Sequence, residues 1–137
     1  MFKPKDVPQL SPYLTVRDSA KSIDFYTKAF GFTLKDAVKN EKGIIEHTEM
    51  RMQDVFIMFS PEGAYGSKKK APVSLGIEIP LNLYIYCENV DELYKQAINH
   101  GAKSIMEPFD SFWGDRYCCV ADPDGYEWGF GMRLNNK

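Results

Sequence analysis

His47 and Glu49 lie two residues apart in an alternating stretch, and in a strand that spacing turns both side chains to one face. An imidazole and a carboxylate so placed are either a two-donor pair for a cation or a half-exposed polar strand face. Glu127 precedes Trp128 and shares strand parity with Gly129. A carboxylate at the rim of a binding face can act as acid, base or cation partner, so Glu127 is the candidate catalytic residue; a plain surface carboxylate is the alternative. His100 stands before Gly101 at the end of a helical pattern, where an imidazole complements the helix C-terminus. Cys118 and Cys119 are adjacent, so one of them must face inward in a strand, where buried thiols are usually inert. Asp115-Arg116 reads as a structural pair that fixes its loop.

Other chemistries have no foothold. The sequence contains no nucleophile elbow, phosphate-binding loop, dinucleotide fingerprint or paired zinc motif. Three cysteines form neither a disulfide framework nor a metal spacing, and reduced thiols fit a cytoplasmic setting. Seventeen basic and nineteen acidic residues give a net charge of −2, which offers nucleic acid or anionic lipid no general attraction. The cluster Lys68-Lys69-Lys70 sits among Gly and Pro and reads as a solvated loop. No apolar leader follows Met1, and no run approaches the length of a spanning helix. The expectation is therefore no nucleic-acid partner and no membrane association.

The elements that must position these residues repeat. Leu10 to Val16 reads as a strand, and Ser19 as the N-cap of a helix through Phe30, closed by Gly31. Ile23, Tyr26 and Phe30 give that helix an apolar stripe. Phe32 to Val38, Ile44 to Met52 and Val55 to Ser60 follow as strands, the last two joined at Gln53-Asp54. A second series starts with Leu81 to Cys87. Its helix carries Val90, Leu93, Tyr94, Ala97 and Ile98 and ends before Gly101. Strands at Ser104 to Phe109, at Arg116 to Ala121 and through Phe130 complete it, with Asp122-Pro123-Asp124-Gly125 as a strong turn. Tyr13 and Tyr84 are 71 residues apart, as are Asp54 and Gly125, and Gly31 and Gly101 are 70 apart. Two copies of a βαβββ unit account for this spacing. One domain over 1–137 is expected, with repeats at about 10–60 and 81–131. The linker 61–80, with three Gly, three Pro and three Lys, is long for a compact domain, and Val73 to Ile79 could add a short strand or edge contact.

The helix signature Ser22-Ile23-Asp24-Phe25-Tyr26, the run Phe30-Gly31-Phe32 and the closing Asp122-Pro123-Asp124-Gly125, in this order and spacing, resemble the vicinal oxygen chelate superfamily of glyoxalases, bleomycin resistance proteins and dioxygenases. Two further stretches, His47 to Arg51 and Phe112 to Tyr117, resemble its small glyoxalase-like branch. The resemblance implies an α+β fold in which two βαβββ repeats form a curved mixed sheet around a U-shaped cleft, with helices outside and frequent homodimers.

In metal-using members of that superfamily, each unit's first and last strands supply the ligands. By the repeat, those positions fall near Ser11 and Asn82 and on Met58 and Gly129, and none of these is His, Glu, Asp or Cys. Such a donor set is too poor for a divalent cation, so neither a metal nor another cofactor is expected. The resemblance makes Ser11, Tyr13, Phe56, Met58, Asn82, Tyr84, Tyr86 and Gly129 the cleft lining, Gly129 leaving space. Phe112, Trp113 and Arg116 are expected to complete the cleft, Phe112-Trp113-Gly114 as a lid at its mouth, with packing at a dimer contact as the alternative. An aromatic cleft with a few polar groups suits a small aromatic or amphipathic molecule. The leading expectation is a metal-free, homodimeric small-molecule-binding protein. The alternatives are a lyase, isomerase or dioxygenase with a metal at unusual positions such as His47 and Glu49, and a dimeric interaction module without a small ligand.

Overall fold

The computed structural model describes residues 1–135. Among these, eight strands form two four-stranded sheets. The first contains β1 (Tyr13–Val16), β2 (Thr33–Lys39), β3 (Ile45–Met52) and β4 (Val55–Pro61), in the order β1-β4-β3-β2. The second contains β5 (Asn82–Tyr86), β6 (Lys103–Asp110), β7 (Asp115–Ala121) and β8 (Glu127–Arg133), in the order β5-β8-β7-β6. In each sheet the first strand pairs parallel with the last and the other pairs are antiparallel. The sheets are therefore mixed and the fold is α+β.

The chain divides into two compact units, Met1–Thr27 with Gly31–Ala71, and Lys28–Phe30 with Pro72 onward. The expected repeat is visible in the strand register of each. Tyr13 stands opposite Met58 and Tyr84 opposite Gly129, each pair 71 residues from its counterpart. Glu49 faces Met58 as Cys119 faces Gly129, so β3 and β7 are offset by 70. The second copy is thus one residue shorter before β7 and one longer in the turn before β8.

Alternation separates two faces in each sheet. In the first unit Leu14, Val16, Met50, Ile57 and Phe59 are buried, and α1 (Ser19–Phe25) packs on β3 and β4. In the second Ile85, Cys118, Val120, Trp128 and Phe130 are buried, and α3 (Val90–Asn99) packs on β6, β7 and β8. Full burial of such side chains is worth about 1.5–3 kcal/mol each, so these layers set the strand register that positions the opposite faces.

The helix caps refine the sequence reading. Asp18, not Ser19, is the N-cap of α1: its carboxylate accepts the Lys21 N–H at 3.1 Å. A carboxylate accepts that bond with a full charge and suits the positive helix start. The expected single helix to Phe30 instead widens after Phe25 into a π-helical turn, Tyr26–Phe30, before Gly31 closes it at φ 87°. Phe30 belongs with the second unit, its ring 5.4 Å from that of Trp128 and 5.0 Å from that of Phe130. In α3 the Asn89 side chain accepts the Glu92 N–H at 3.1 Å. His100 Nδ1 lies 3.0 Å from the Gln96 carbonyl.

The linker is partly ordered into short turns, a 3-10 turn at Ala64–Gly66 and one helical turn, α2 (Pro72–Leu75). Val73 donates its N–H to the Asp124 carbonyl at 3.0 Å, so Val73 begins a backbone contact with the β7–β8 turn and no added strand forms.

Candidate functional site

The face of the second sheet opposite α3 carries Asn82, Tyr84 and Tyr86 from β5, Glu127, Gly129 and Gly131 from β8, and Asp115, Tyr117 and Cys119 from β7. Asp115 organises it. Its side chain is 2% exposed, and one carboxylate oxygen accepts the hydroxyls of both Tyr84 and Tyr86 at 2.7 Å. The Tyr84 oxygen in turn accepts the Trp113 indole N–H at 3.0 Å. Tyr117 stacks on Tyr84 with ring centroids 5.1 Å apart and planes 23° apart, and its oxygen accepts an amide N–H from Asn82 at 3.2 Å. Trp113 and Phe109 stand edge-on to Tyr117 at 5.5 and 6.0 Å. Offset and edge-on pairs of this kind add about 0.5–1.5 kcal/mol beyond burial, and with both phenols bonded the rings keep fixed orientations.

Electrostatics keep this array in one protonation state. Hydrogen bonds from Tyr86 and Tyr84 hold the Asp115 carboxyl below the usual aspartate range. Burial, with Asp115 as a further cause, raises the Tyr84 phenol; the bond to Asp115 raises Tyr86. Burial pushes Tyr117 up to about 12. The phenols therefore stay neutral donors and the carboxylate stays charged at neutral pH.

A consequence is testable with acid. Because the folded pKa of Asp115 lies below its unfolded value, about 3.9, its stabilising contribution is complete above that value and disappears as pH falls through the lower folded one. The near-ultraviolet circular dichroism of the array is expected to hold unchanged from neutral pH to about pH 4 and to collapse below it. In Asp115→Asn that acid phase should vanish; an identical phase in the variant would remove Asp115 as its source.

The two glycines explain how large rings fit on this face. A Cβ at Gly129 would lie 2.6 Å from the Tyr117 hydroxyl oxygen, and one at Gly131 would lie 2.8 Å from the Tyr84 ring. The space expected over Gly129 is filled by the protein's own Tyr117.

The first sheet has a different arrangement at the matching positions. The Tyr13 hydroxyl lies 2.9 Å from His47 Nδ1 and 2.7 Å from Ser60 Oγ. His47 Nε2 lies 2.9 Å from Glu49 Oε2. His47 and Glu49 thus bond to each other rather than converging as two free donors. Met58 sits in register between Tyr13 and Glu49. Phe56 is buried with the Arg51 guanidinium 5.9 Å from its ring centre. Ser11 precedes β1, and its buried hydroxyl has no hydrogen-bond partner among the described residues.

The remaining predicted residues are dispersed. Glu127 pairs with Asn82 and Ala121 and lines a groove of about 480 Å³ with Val73, Ile77, Lys103 and Ile105. Phe112, at 97% exposed, projects beside Trp113. Arg116 faces away from Tyr117, bonding Asp91 through Nε and Nη2 at 2.9 and 3.0 Å and Asp110 at 3.0 Å. Asp115-Arg116 is consequently not the expected pair: the neighbours point to opposite faces and take separate partners. Cys119 lies on the tyrosine face and Cys118 beneath it, and burial raises both thiols, Cys118 to about 12. Sequence reasoning missed Asp115 as the acceptor for two phenols, and missed Tyr117 and Ser60. Strand parity was the available signal, since Asp115, Tyr117 and Cys119 alternate with Arg116 and Cys118.

Among the described residues, no group of three or more His, Cys, Asp or Glu side chains could hold a metal ion. The residues at the first-strand and last-strand positions do not fit the superfamily's metal centre: the amide of Asn82 is engaged with Tyr117, and Met58 and Gly129 bring a thioether and no side chain.

Comparison with known proteins places these faces in context. The model of the Glyoxalase/Bleomycin resistance protein/Dioxygenase superfamily matches residues 9–130. An uncharacterized protein of Mycobacterium tuberculosis is 36% identical over 127 residues, covering 91% of this chain and 74% of its own. A bleomycin resistance protein of Geobacillus stearothermophilus is 33% identical over 126 residues, covering 85% of this chain and 89% of its own. Among solved structures, TioX from Micromonospora sp. ML1 superposes with a TM-score of 0.74 at 23% identity, over 93% of this chain and 99% of that one. A family enzyme from Burkholderia phytofirmans PsJN gives 0.71 at 20% identity, over 89% and 95%. These two likenesses concern the fold.

Proposed function

Since this chain belongs to the glyoxalase/bleomycin resistance protein/dioxygenase superfamily, we propose that it binds a small planar aromatic molecule on the tyrosine–tryptophan face of its second sheet, without a metal and as a homodimer. The observation that carries the reading is the set of exposed rings whose polar atoms are already satisfied. Tyr84, Tyr86 and Trp113 are 41%, 62% and 45% exposed, yet their hydroxyls and indole N–H are bonded within the face. Such rings offer π surface with little further ordering on binding, which favours stacking. The poor donor set at the superfamily's ligand positions supports the metal-free part. Three free cysteines suit a cytoplasmic setting, and among the described residues no helix is long and apolar enough to cross a membrane.

The test is fluorescence titration with acridine orange, menadione, flavin mononucleotide and bleomycin. The chain has two tryptophans; Trp128 is buried and Trp113 half-exposed, so a stacked ligand should quench the Trp113 component. Tyr84→Ala is expected to weaken binding about ten-fold, equivalent to about 1.4 kcal/mol. If none of the four quenches Trp113 or raises the melting temperature, the proposal is wrong. Light scattering reporting only monomer at micromolar concentration would remove the dimer.

A further inference from the structure

The first sheet's polar cluster has an order that chemistry fixes. An ionised Glu49 can only accept, so His47 must carry its proton on Nε2, 2.9 Å from Glu49 Oε2. A neutral imidazole protonated there can only accept at Nδ1. The Tyr13 hydroxyl, 2.9 Å from Nδ1, is then the donor, and the Ser60 hydroxyl, 2.7 Å away, donates to the Tyr13 oxygen. The result is a directed chain, Ser60 to Tyr13 to His47 to Glu49. It contains an oxygen nucleophile, a base in hydrogen-bond reach of it and a carboxylate that orients the base, the signature of an activated nucleophile. Tyr13 is 52% exposed, so the residue stands at the surface.

We propose that Tyr13 is a nucleophile for acyl transfer from activated esters, with His47 as its general base. Glu49 is a positioning residue that fixes the imidazole tautomer, and Ser60 donates to the oxygen as negative charge develops on it. In the step, the Tyr13 oxygen bonds to the acyl carbon while its proton passes to His47 Nδ1. The bond from that carbon to the leaving oxygen breaks, its electron pair departs with the leaving group, and His47 returns the proton to that oxygen or to water. The acylated Tyr13 ester is then hydrolysed by a water that His47 deprotonates, releasing the acid and restoring the phenol. No oxidant, reductant or cation enters the balance.

The assignment is separable from ligand binding on the second sheet, because none of its four residues belongs to that face. The probe is p-nitrophenyl acetate at neutral pH, read by p-nitrophenolate release and by peptide mass mapping of the acetyl group. Tyr13 is expected to acetylate about 100-fold faster than N-acetyltyrosinamide under the same conditions, the usual scale of general-base assistance. His47→Gln should abolish that advantage, and Glu49→Gln, which preserves shape but removes the charge, should reduce it. Exposure alone predicts no advantage over the model phenol and no response to either substitution. Tyr13 labelling at the model rate in the wild type overturns the proposal without any variant, as does an unchanged rate in a folded His47→Gln protein.

Discussion

Trp128→Ala will lower the unfolding free energy by about 3–5 kcal/mol, the range for deleting a large buried aromatic, and urea denaturation should show it as an earlier midpoint at nearly constant slope. Trp128 is 1% exposed and does more than fill volume. Its indole N–H donates to one Asp122 carboxylate oxygen at 2.9 Å. The other oxygen accepts the backbone N–H groups of Asp124 and Tyr126 at 3.0 Å. One side chain therefore anchors the turn before β8, and Phe30 closes over the ring. Trp128→Phe should retain part of the packing but lose the indole hydrogen bond to Asp122, giving an intermediate loss. Against a typical total of about 5–15 kcal/mol, that loss removes between a fifth and all of the stability. A loss below about 1 kcal/mol would mean that the layer between β8 and α3 repacks freely, contrary to its close packing.

Gly129→Ala is expected to cost about 1–3 kcal/mol, the usual scale of overpacking, although alanine suits a strand better than glycine does. The added methyl would overlap the Tyr117 ring, with contacts of 2.6 and 2.7 Å. Tyr117 is 6% exposed and stacked on Tyr84, so its movement disturbs the whole array. Near-ultraviolet circular dichroism should change together with the melting temperature. Gly129→Ala with the double change Tyr117→Phe should recover less than Gly129→Ala with Tyr117→Ala, because the ring as well as the hydroxyl occupies the methyl's space. If the single variant is as stable as wild type, Tyr117 does not rest on Gly129.

Much of the scaffold is legible in the sequence because periodicity reports burial directly. The two copies of βαβββ, their spacing and the elements around Gly31, Gly101 and the Asp122 turn all follow from apolar alternation and turn chemistry. The errors arise where a local rule has two solutions. Ser19 and Asp18 are both good caps, and only the backbone geometry selects Asp18. A helix through Phe30 satisfies the apolar stripe, while packing of Phe30 on Trp128 and Phe130 accompanies a wider turn that periodicity alone does not encode. The candidate site was legible as a list of aromatics, with Tyr84, Tyr86 and Trp113 among them. Its wiring was not. Which phenol meets which carboxylate depends on partners 29 and 31 residues apart in sequence, and the link from Tyr13 to His47 spans 34. Chain-local patterns carry no term for such distances.

The matching frames of the two sheets let one backbone carry two unlike chemistries. His47 occupies the place that Tyr117 holds in the second copy, Glu49 that of Cys119, and Ser60 that of Gly131. Placing the second sheet's stacking residues on the first would take tyrosine at His47 and glycine at both Ser60 and Met58, because Met58 stands where Gly129 makes room for Tyr117, while the buried residues between them in sequence, such as Thr48 and Phe59, stay as they are. The repeat thus gives this chain two sockets matched in register but not in depth, and a designer who rewrites one must first clear the thioether from its floor.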